Sequence, residues 1–182
     1  MRADARCPSK YVDSTTSRER APVRIPVRAD SRFMRVRLSR WIAMGFGSGL
    51  SPFAPGTVGT LWAWLAFAVL ERWIPPIGWA ALVVGGFALG IWACTRTSRD
   101  LGVPDHGAIV WDEIVAFWLV LLFVPAGFGD RLGAFVVFRF FDIVKPPPIR
   151  HFERTLKDGL GIMFDDVLAA FYTLLLFALW YR

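Results

Sequence analysis

The run from Ala108 to Phe123, Ala-Ile-Val-Trp-Asp-Glu-Ile-Val-Ala-Phe-Trp-Leu-Val-Leu-Leu-Phe, is apolar almost throughout, yet Asp112 and Glu113 stand side by side inside it. An ionised carboxylate in apolar surroundings is costly unless a cation or a hydrogen-bond network meets it, and two neighbours also repel each other. The pattern returns twice. Asp142 sits in Phe-Arg-Phe-Phe-Asp-Ile-Val-Lys, residues 138–145, and Asp165 and Asp166 sit in Ile-Met-Phe-Asp-Asp-Val-Leu, residues 162–168. A fold for this chain must gather these acids where something neutralises them, and a divalent cation is the simplest agent. Acids inside apolar segments mark a functional site by default.

The chain is 55% hydrophobic with mean hydropathy +0.44 and nine Trp, where soluble domains average roughly 45–50% apolar. Repeated apolar runs of ~15–20 residues predict an all-α integral membrane bundle of four to five helices. The net charge of +6 would suit a nucleic-acid binder, but eleven of the 21 Lys and Arg fall in residues 1–40. That distribution fits a basic tail on a membrane protein and argues against a nucleic-acid partner. Cys7 and Cys94 form neither a disulfide framework nor a zinc spacing.

Residues 1–40 show no periodic apolar face and are expected to be a disordered tail. Met34 and Met44 are alternative starts, and a chain beginning at Met34 is expected to keep insertion and activity. Residues 41–182 form the membrane-embedded domain. It opens with a Gly- and Pro-rich stretch, Trp41–Gly59, holding Ser48, Ser51 and Thr57. Such turns before a helix gather backbone N–H groups around phosphate, or serve as a hinge. Apolar segments follow at Leu61–Leu70, Ile77–Thr95, Ala108–Val124, Arg131–Val144 and Ile162–Tyr181, with polar loops at Arg96–Gly107 and Ile149–Gly161.

If each segment crosses once from a cytoplasmic tail, Asp105, Asp112, Glu113, Asp142, Asp165 and Asp166 all fall on the cytoplasmic face. Arg96, Arg99, Lys145, Arg150, Arg154 and Lys157 share it, leaving Arg72, Arg131 and Arg182 opposite, in keeping with the positive-inside rule. Clustered carboxylates without a Cys or His array favour a hard cation, Mg²⁺ before Ca²⁺ or Mn²⁺. Arg139 and Lys145 flank Asp142 at three residues on either side, a spacing that shares a helix face and suits a phosphate ester. A structural ion-pair network is the plain alternative for any single acid. Three acidic motifs on one face favour chemistry.

Other phosphatase chemistries do not fit. The position six after Cys94 is Asp100, not the Arg that a cysteine phosphatase needs. Neither Asp142 nor Asp165 opens an Asp-x-Asp motif.

Four motifs carry a family resemblance: Gly47-Ser-Gly-Leu-Ser-Pro-Phe-Ala-Pro-Gly-Thr57 with Gly59-Thr60; Ile109-Val-Trp-Asp-Glu113; Phe138-Arg-Phe-Phe-Asp-Ile-Val-Lys-Pro146 with Pro148-Ile149; and Gly159-Leu-Gly-Ile-Met-Phe-Asp-Asp-Val-Leu-Ala169. In this order they resemble the phosphatidylglycerophosphatase A family from about residue 41 onward. Pro147 stands where many members carry Trp. The resemblance implies a multi-pass, Mg²⁺-dependent phosphatase of the bacterial inner membrane. Its active site would face the cytoplasm and convert phosphatidylglycerophosphate to phosphatidylglycerol. It implies that Asp112, Glu113, Asp142, Asp165 and Asp166 supply metal ligands and a base, that Arg139 and Lys145 pair with phosphate, and that the loop of Ser48, Ser51 and Thr57 closes over it. A membrane transporter or channel for a divalent cation or small anion is the rival reading.

Overall fold

The computed structural model describes residues 28–103, 106–147, 149 and 158–182. Among them there are α-helices and one 3₁₀ segment, and no strand. We number the helices α1 (Ser31–Arg35), α2 (Leu38–Ala43), α3 (Pro55–Leu70), α4 (Pro76–Leu101), α5 (Trp111–Phe123), α6 (Phe128–Val144) and α7 (Gly159–Trp180), with the 3₁₀ segment at Gly45–Leu50 between α2 and α3. Proline opens α3 and α4, where its missing N–H costs nothing. Gly102, at φ +75°, closes α4 in the left-handed region that glycine adopts freely.

The run of Ala108–Phe123 becomes the centre of the molecule. Ile114, Val115, Phe117 and Val120 of α5 are fully buried, and α3, α4, α6 and α7 pack around this helix. Two indoles fix it. Trp111 Nε1 donates to Gly86 O of α4 at 2.9 Å, and Trp118 Nε1 donates to Ala63 O of α3 at 3.0 Å. Such bonds let a large aromatic bury without stranding its N–H. Small residues set how closely the helices approach. A Cβ on Gly90 of α4 would meet Met163 Sδ at 2.4 Å and Trp111 Cδ1 at 2.8 Å, a spacing of small residues familiar from packing in lipid.

The outer surface stays apolar. Leu65, Val84 and Leu179 are each at least 60% exposed. The helices α4 and α7, at 26 and 22 residues, are long and apolar enough to cross a membrane, and this apolar surface is consistent with membrane association. The helices α3, α5 and α6 hold 16, 13 and 17 residues, shorter than the ~20 a straight span needs.

At the end of the bundle opposite the site, Arg131 grips Glu71 through two bonds of 3.0 and 2.5 Å. These bonds hold the Glu71 carboxyl below the usual carboxylate range.

Several boundaries differ from the sequence expectation. The polar loop at Arg96 begins later, because α4 runs on to Leu101. The helix α7 starts at Gly159, which puts Asp165 and Asp166 in its second turn rather than its first. The disordered tail was expected to reach residue 40, but Ser31–Arg35 and Leu38–Ala43 are helical. Tertiary contacts explain it. Asp30 Oδ1 caps α1 by accepting from Phe33 N at 2.7 Å, Phe33 and Met34 are buried, and the Arg40 guanidinium lies 3.8 Å from the Phe33 ring centroid. Arg40 also pairs with Asp100 of α4 at 3.0 Å. Five-residue helices do not form alone, and docking supplies what propensity lacks. A chain starting at Met34 would therefore lose both the cap and Phe33. Residues 1–27 lie outside the described residues, as do Asp105, Arg150, His151, Arg154 and Lys157.

The start of α7 crosses α4 at Gly159, where a Cβ would lie 2.3 Å from Ile91 O and 2.7 Å from Thr95 N. These are backbone atoms and cannot rotate away. Gly159→Ala should therefore destabilise the fold by about 1–3 kcal/mol, read as a lower midpoint of thermal unfolding in detergent. An unchanged midpoint would mean that the crossing is looser than described.

Candidate active site

Four helix ends meet around one guanidinium. Arg139, near the end of α6, directs Nη1 to Asp142 Oδ2 at 2.6 Å, to Glu113 Oε1 at 3.1 Å and to Thr60 Oγ1 at 3.4 Å. Asp142 is on its own helix, Glu113 is in the first turn of α5, and Thr60 is in the second turn of α3. The three charged side chains are nearly buried, at 10–13% exposure. Charge-assisted bonds at these distances are the strong kind, and burial raises the cost of breaking them.

The acids of α7 complete the group. Asp142, Asp112 and Glu113 stand close enough to Asp166 to act on it electrostatically. Carboxyls buried this close together repel one another unless a proton or a cation neutralises them. Asp165, also buried, accepts from Lys145 Nζ at 3.5 Å. All five sequence-selected acids therefore belong to one cluster or its border, and Arg139 and Lys145 are its cations. Asp112 and Glu113 gain further from their place in the first turn of α5, where the helix dipole favours negative charge.

Backbone geometry serves this meeting. Lys145 caps α6 in the left-handed region at φ +45°, and Ala54 precedes α3 at φ +43°. Non-glycine residues pay for that conformation, and such strain gathers at functional sites. Gly56 is needed for close approach: a Cβ there would fall 1.8 Å from Glu113 Oε1 and 2.9 Å from Arg139 Nη2.

The Gly/Ser loop is placed less directly. Ser48 Oγ donates to Gly45 O at 2.8 Å, and Ser51 Oγ donates to Phe53 O at 2.8 Å. Both hydroxyls thus stabilise the loop itself. The loop packs on the entry to α5, where a Cβ on Gly49 would meet Ala108 O at 2.1 Å. Thr57 is half-buried beside Gly56. The hydroxyl that reaches the cluster is that of Thr60, fully buried, which also donates to Gly56 O at 2.9 Å. In the sequence, Thr60 stands out only as a motif residue beside Gly59. Its position four after Gly56, on the same helix face, was the available signal.

The ligand set is all oxygen. Among the described residues no three His, Cys, Asp or Glu side chains converge as a ready-made metal cage. The donors still suit Mg²⁺, which usually takes one or two carboxylates and completes its shell with water and substrate phosphate. Asp166 Oδ2 is a buried carboxylate oxygen that accepts no hydrogen bond among the described residues.

A helical bundle with an apolar exterior and a buried acid–arginine cluster at one end is consistent with a membrane-associated protein that meets anionic groups. The sequence model of phosphatidylglycerophosphatase A matches residues 41–181, and the chain belongs to that family. It is 42% identical over 149 residues to phosphatidylglycerophosphatase A of Escherichia coli, covering 80% of this chain and 86% of that one. It is 45% identical over 142 residues to the Haemophilus influenzae protein of the same name, covering 77% and 87%. A Bacteroides thetaiotaomicron protein, named provisionally as a phosphatidylinositol-3-phosphatase, is 44% identical over 146 residues, covering 75% and 89%. No solved structure matches. The chain is a phosphatase, and nothing in these comparisons supports a transporter or channel.

Gly56→Ala tests the geometry without touching a charge. The added methyl should push the Glu113 carboxylate off Arg139 and lower kcat by about tenfold or more, some 1.4 kcal/mol, with helicity unchanged by circular dichroism. Wild-type turnover in that variant would show that the contact between α3 and α5 is not part of the working site.

Proposed function

We propose that this protein hydrolyses the terminal phosphate of phosphatidylglycerophosphate in the bacterial inner membrane, releasing phosphatidylglycerol and phosphate with the help of Mg²⁺. The observation that carries the proposal is the clustering of the acids of all three acidic motifs around Arg139, in a chain 42–45% identical to phosphatidylglycerophosphatases A.

The chemistry follows from the residues. Water attacks phosphorus in line, a P–O bond forms, and the bond to the glycerol oxygen breaks. The proton leaving the water needs a carboxylate, and in this reading one of the clustered acids takes it and returns it to the departing alkoxide. Arg139 is held in place by Glu113 and Asp142, and its fork retains further N–H donors for the phosphoryl oxygens. Lys145, at the border, adds a second positive charge. One or two of Asp112, Glu113, Asp142, Asp165 and Asp166 would hold Mg²⁺ directly. Bound there, the ion supplies Lewis-acid polarisation of the phosphoryl group and a more acidic water. Thr57 and the loop of Ser48 and Ser51 shape the entrance.

A five-pass arrangement with this end in the cytoplasm accounts for the charge distribution. The short helices α3, α5 and α6 then sit partly sheltered by α4 and α7. A substrate with two acyl chains stays in the leaflet and swings its head group into the cluster.

Phosphate release from phosphatidylglycerophosphate micelles, with Mg²⁺ and with chelator, tests the activity directly. We expect release only with the metal, and faster than from phosphatidylinositol 3-phosphate or soluble glycerol phosphate. Equal or greater rates on phosphatidylinositol 3-phosphate would move the assignment to that lipid. Asp112→Asn, Asp142→Asn and Asp165→Asn should each lower kcat by about 100-fold or more, the scale of losing one transition-state contact. Near-normal kcat at saturating Mg²⁺ in two of the three would sink the site.

Sidedness has its own measurement. Asp158→Cys, in a chain lacking Cys7 and Cys94, should react with a membrane-impermeant thiol reagent in inverted vesicles only. Labelling in intact cells would reverse the orientation.

A further inference from the structure

A second polar feature lies outside the cluster. A groove of about 580 Å³ runs along the outer side of α4, bordered by Arg37 at the start of α2. Along α4 its lining follows a single stripe, with Ala88, Ile91 and Trp92 toward the middle of the helix and Thr95, Arg96 and Arg99 toward its end. These positions recur at three and four residues, so they share one face. From Ala88 to Arg99 the stripe spans about 16 Å at 1.5 Å per residue.

The stripe changes character along its length. Its first part continues the exposed apolar surface of Val84, Leu89 and Trp92. Its last part is cationic. Arg37 and Arg96 are exposed, and they line the groove together with Arg99 and Asp100. Asp100 is already engaged by Arg40 at 3.0 Å and by Arg37 at 3.7 Å. An apolar floor leading to a cationic end, with an aromatic at the boundary, complements a diacyl lipid with an anionic head group.

We propose that this groove binds an anionic phospholipid of the surrounding leaflet, at a site separate from the catalytic cluster. The acyl chains lie along Ala88, Ile91 and Trp92, and the phosphodiester meets Arg37, Arg96 and Arg99. The site touches the catalytic machinery at one point. Thr95 lines the groove, and its Oγ1 accepts from Gly159 N at 2.9 Å at the start of α7, the helix that carries Asp165 and Asp166. The proposal rests on the reading that α4 lies in a bilayer, and not on the phosphatase chemistry.

The test uses the full chain in phosphatidylcholine nanodiscs and the fluorescence of Trp92. Phosphatidylglycerol brominated on its acyl chains should quench more than equally brominated phosphatidylcholine. The excess should vanish in Trp92→Phe and fall with added salt. Arg37→Gln combined with Arg96→Gln should weaken the preference about thirtyfold, roughly fivefold per arginine. Phosphate release in detergent by that double variant reports that it is folded. Equal quenching by the two lipids overturns the proposal, as does an excess that survives the double variant. Quenching by neither lipid overturns the bilayer placement and the groove together. A wild-type chain that releases no phosphate yet shows the excess removes the phosphatase reading and leaves the groove standing.

Discussion

A buried carboxylate must be met by something positive, and this fold is arranged around the way Arg139 meets two of them. Its Nη1 lies within 3.1 Å of acids from two helices. Removing one partner from such a pair costs about 3–5 kcal/mol, because the other stays buried and uncompensated. The helix ends are drawn to the cluster from three sides. Glycine at position 56 lets α3 approach, the left-handed Lys145 turns the end of α6 toward Asp165, and the Gly159 crossing brings α7 against α4. Each device is local, and each has its meaning only in relation to the acids.

This arrangement separates two demands on a membrane-associated enzyme. Outward surfaces are apolar, so packing between helices cannot rely on excluding water from them. Small residues and indole-to-carbonyl bonds hold α5 in place instead. The polar residues can then be concentrated at one end without forfeiting the rest of the bundle. Arg131 and Glu71 hold the other end with a plain two-bond pair. That pair resembles the Arg139 group in chemistry and differs in setting, since the Glu71 side chain is 37% exposed.

Much of this was legible in the residues. Acids within apolar runs pointed to a cluster, because apolar sequence makes a carboxylate conspicuous, and the spacing of Arg139, Asp142 and Lys145 pointed to the cations beside it. The helices were visible as apolar runs bounded by proline and glycine. Other features were not legible, for identifiable reasons. The helicity of Ser31–Arg35 depends on Phe33 meeting Arg40 and on Arg40 meeting Asp100, sixty positions away, and local composition cannot report such partners. The helix α4 continues past Thr95 because Arg96 and Arg99 turn outward while Thr97, Ser98 and Leu101 are buried, and polarity alone looked like a loop. Ser48 and Ser51 drew attention as hydroxyls in a glycine-rich stretch, but only the fold shows them bonding to their own loop while Thr60 reaches Arg139.

The cluster is assembled from four helices, so it does not exist in the unfolded chain. Any cation or phosphate that recognises the assembled group is therefore also a folding partner. By mass action, a ligand at a hundred times its dissociation constant adds about 2.7 kcal/mol to the stability of the form that binds it. Heat resistance in this protein becomes a measure of occupancy.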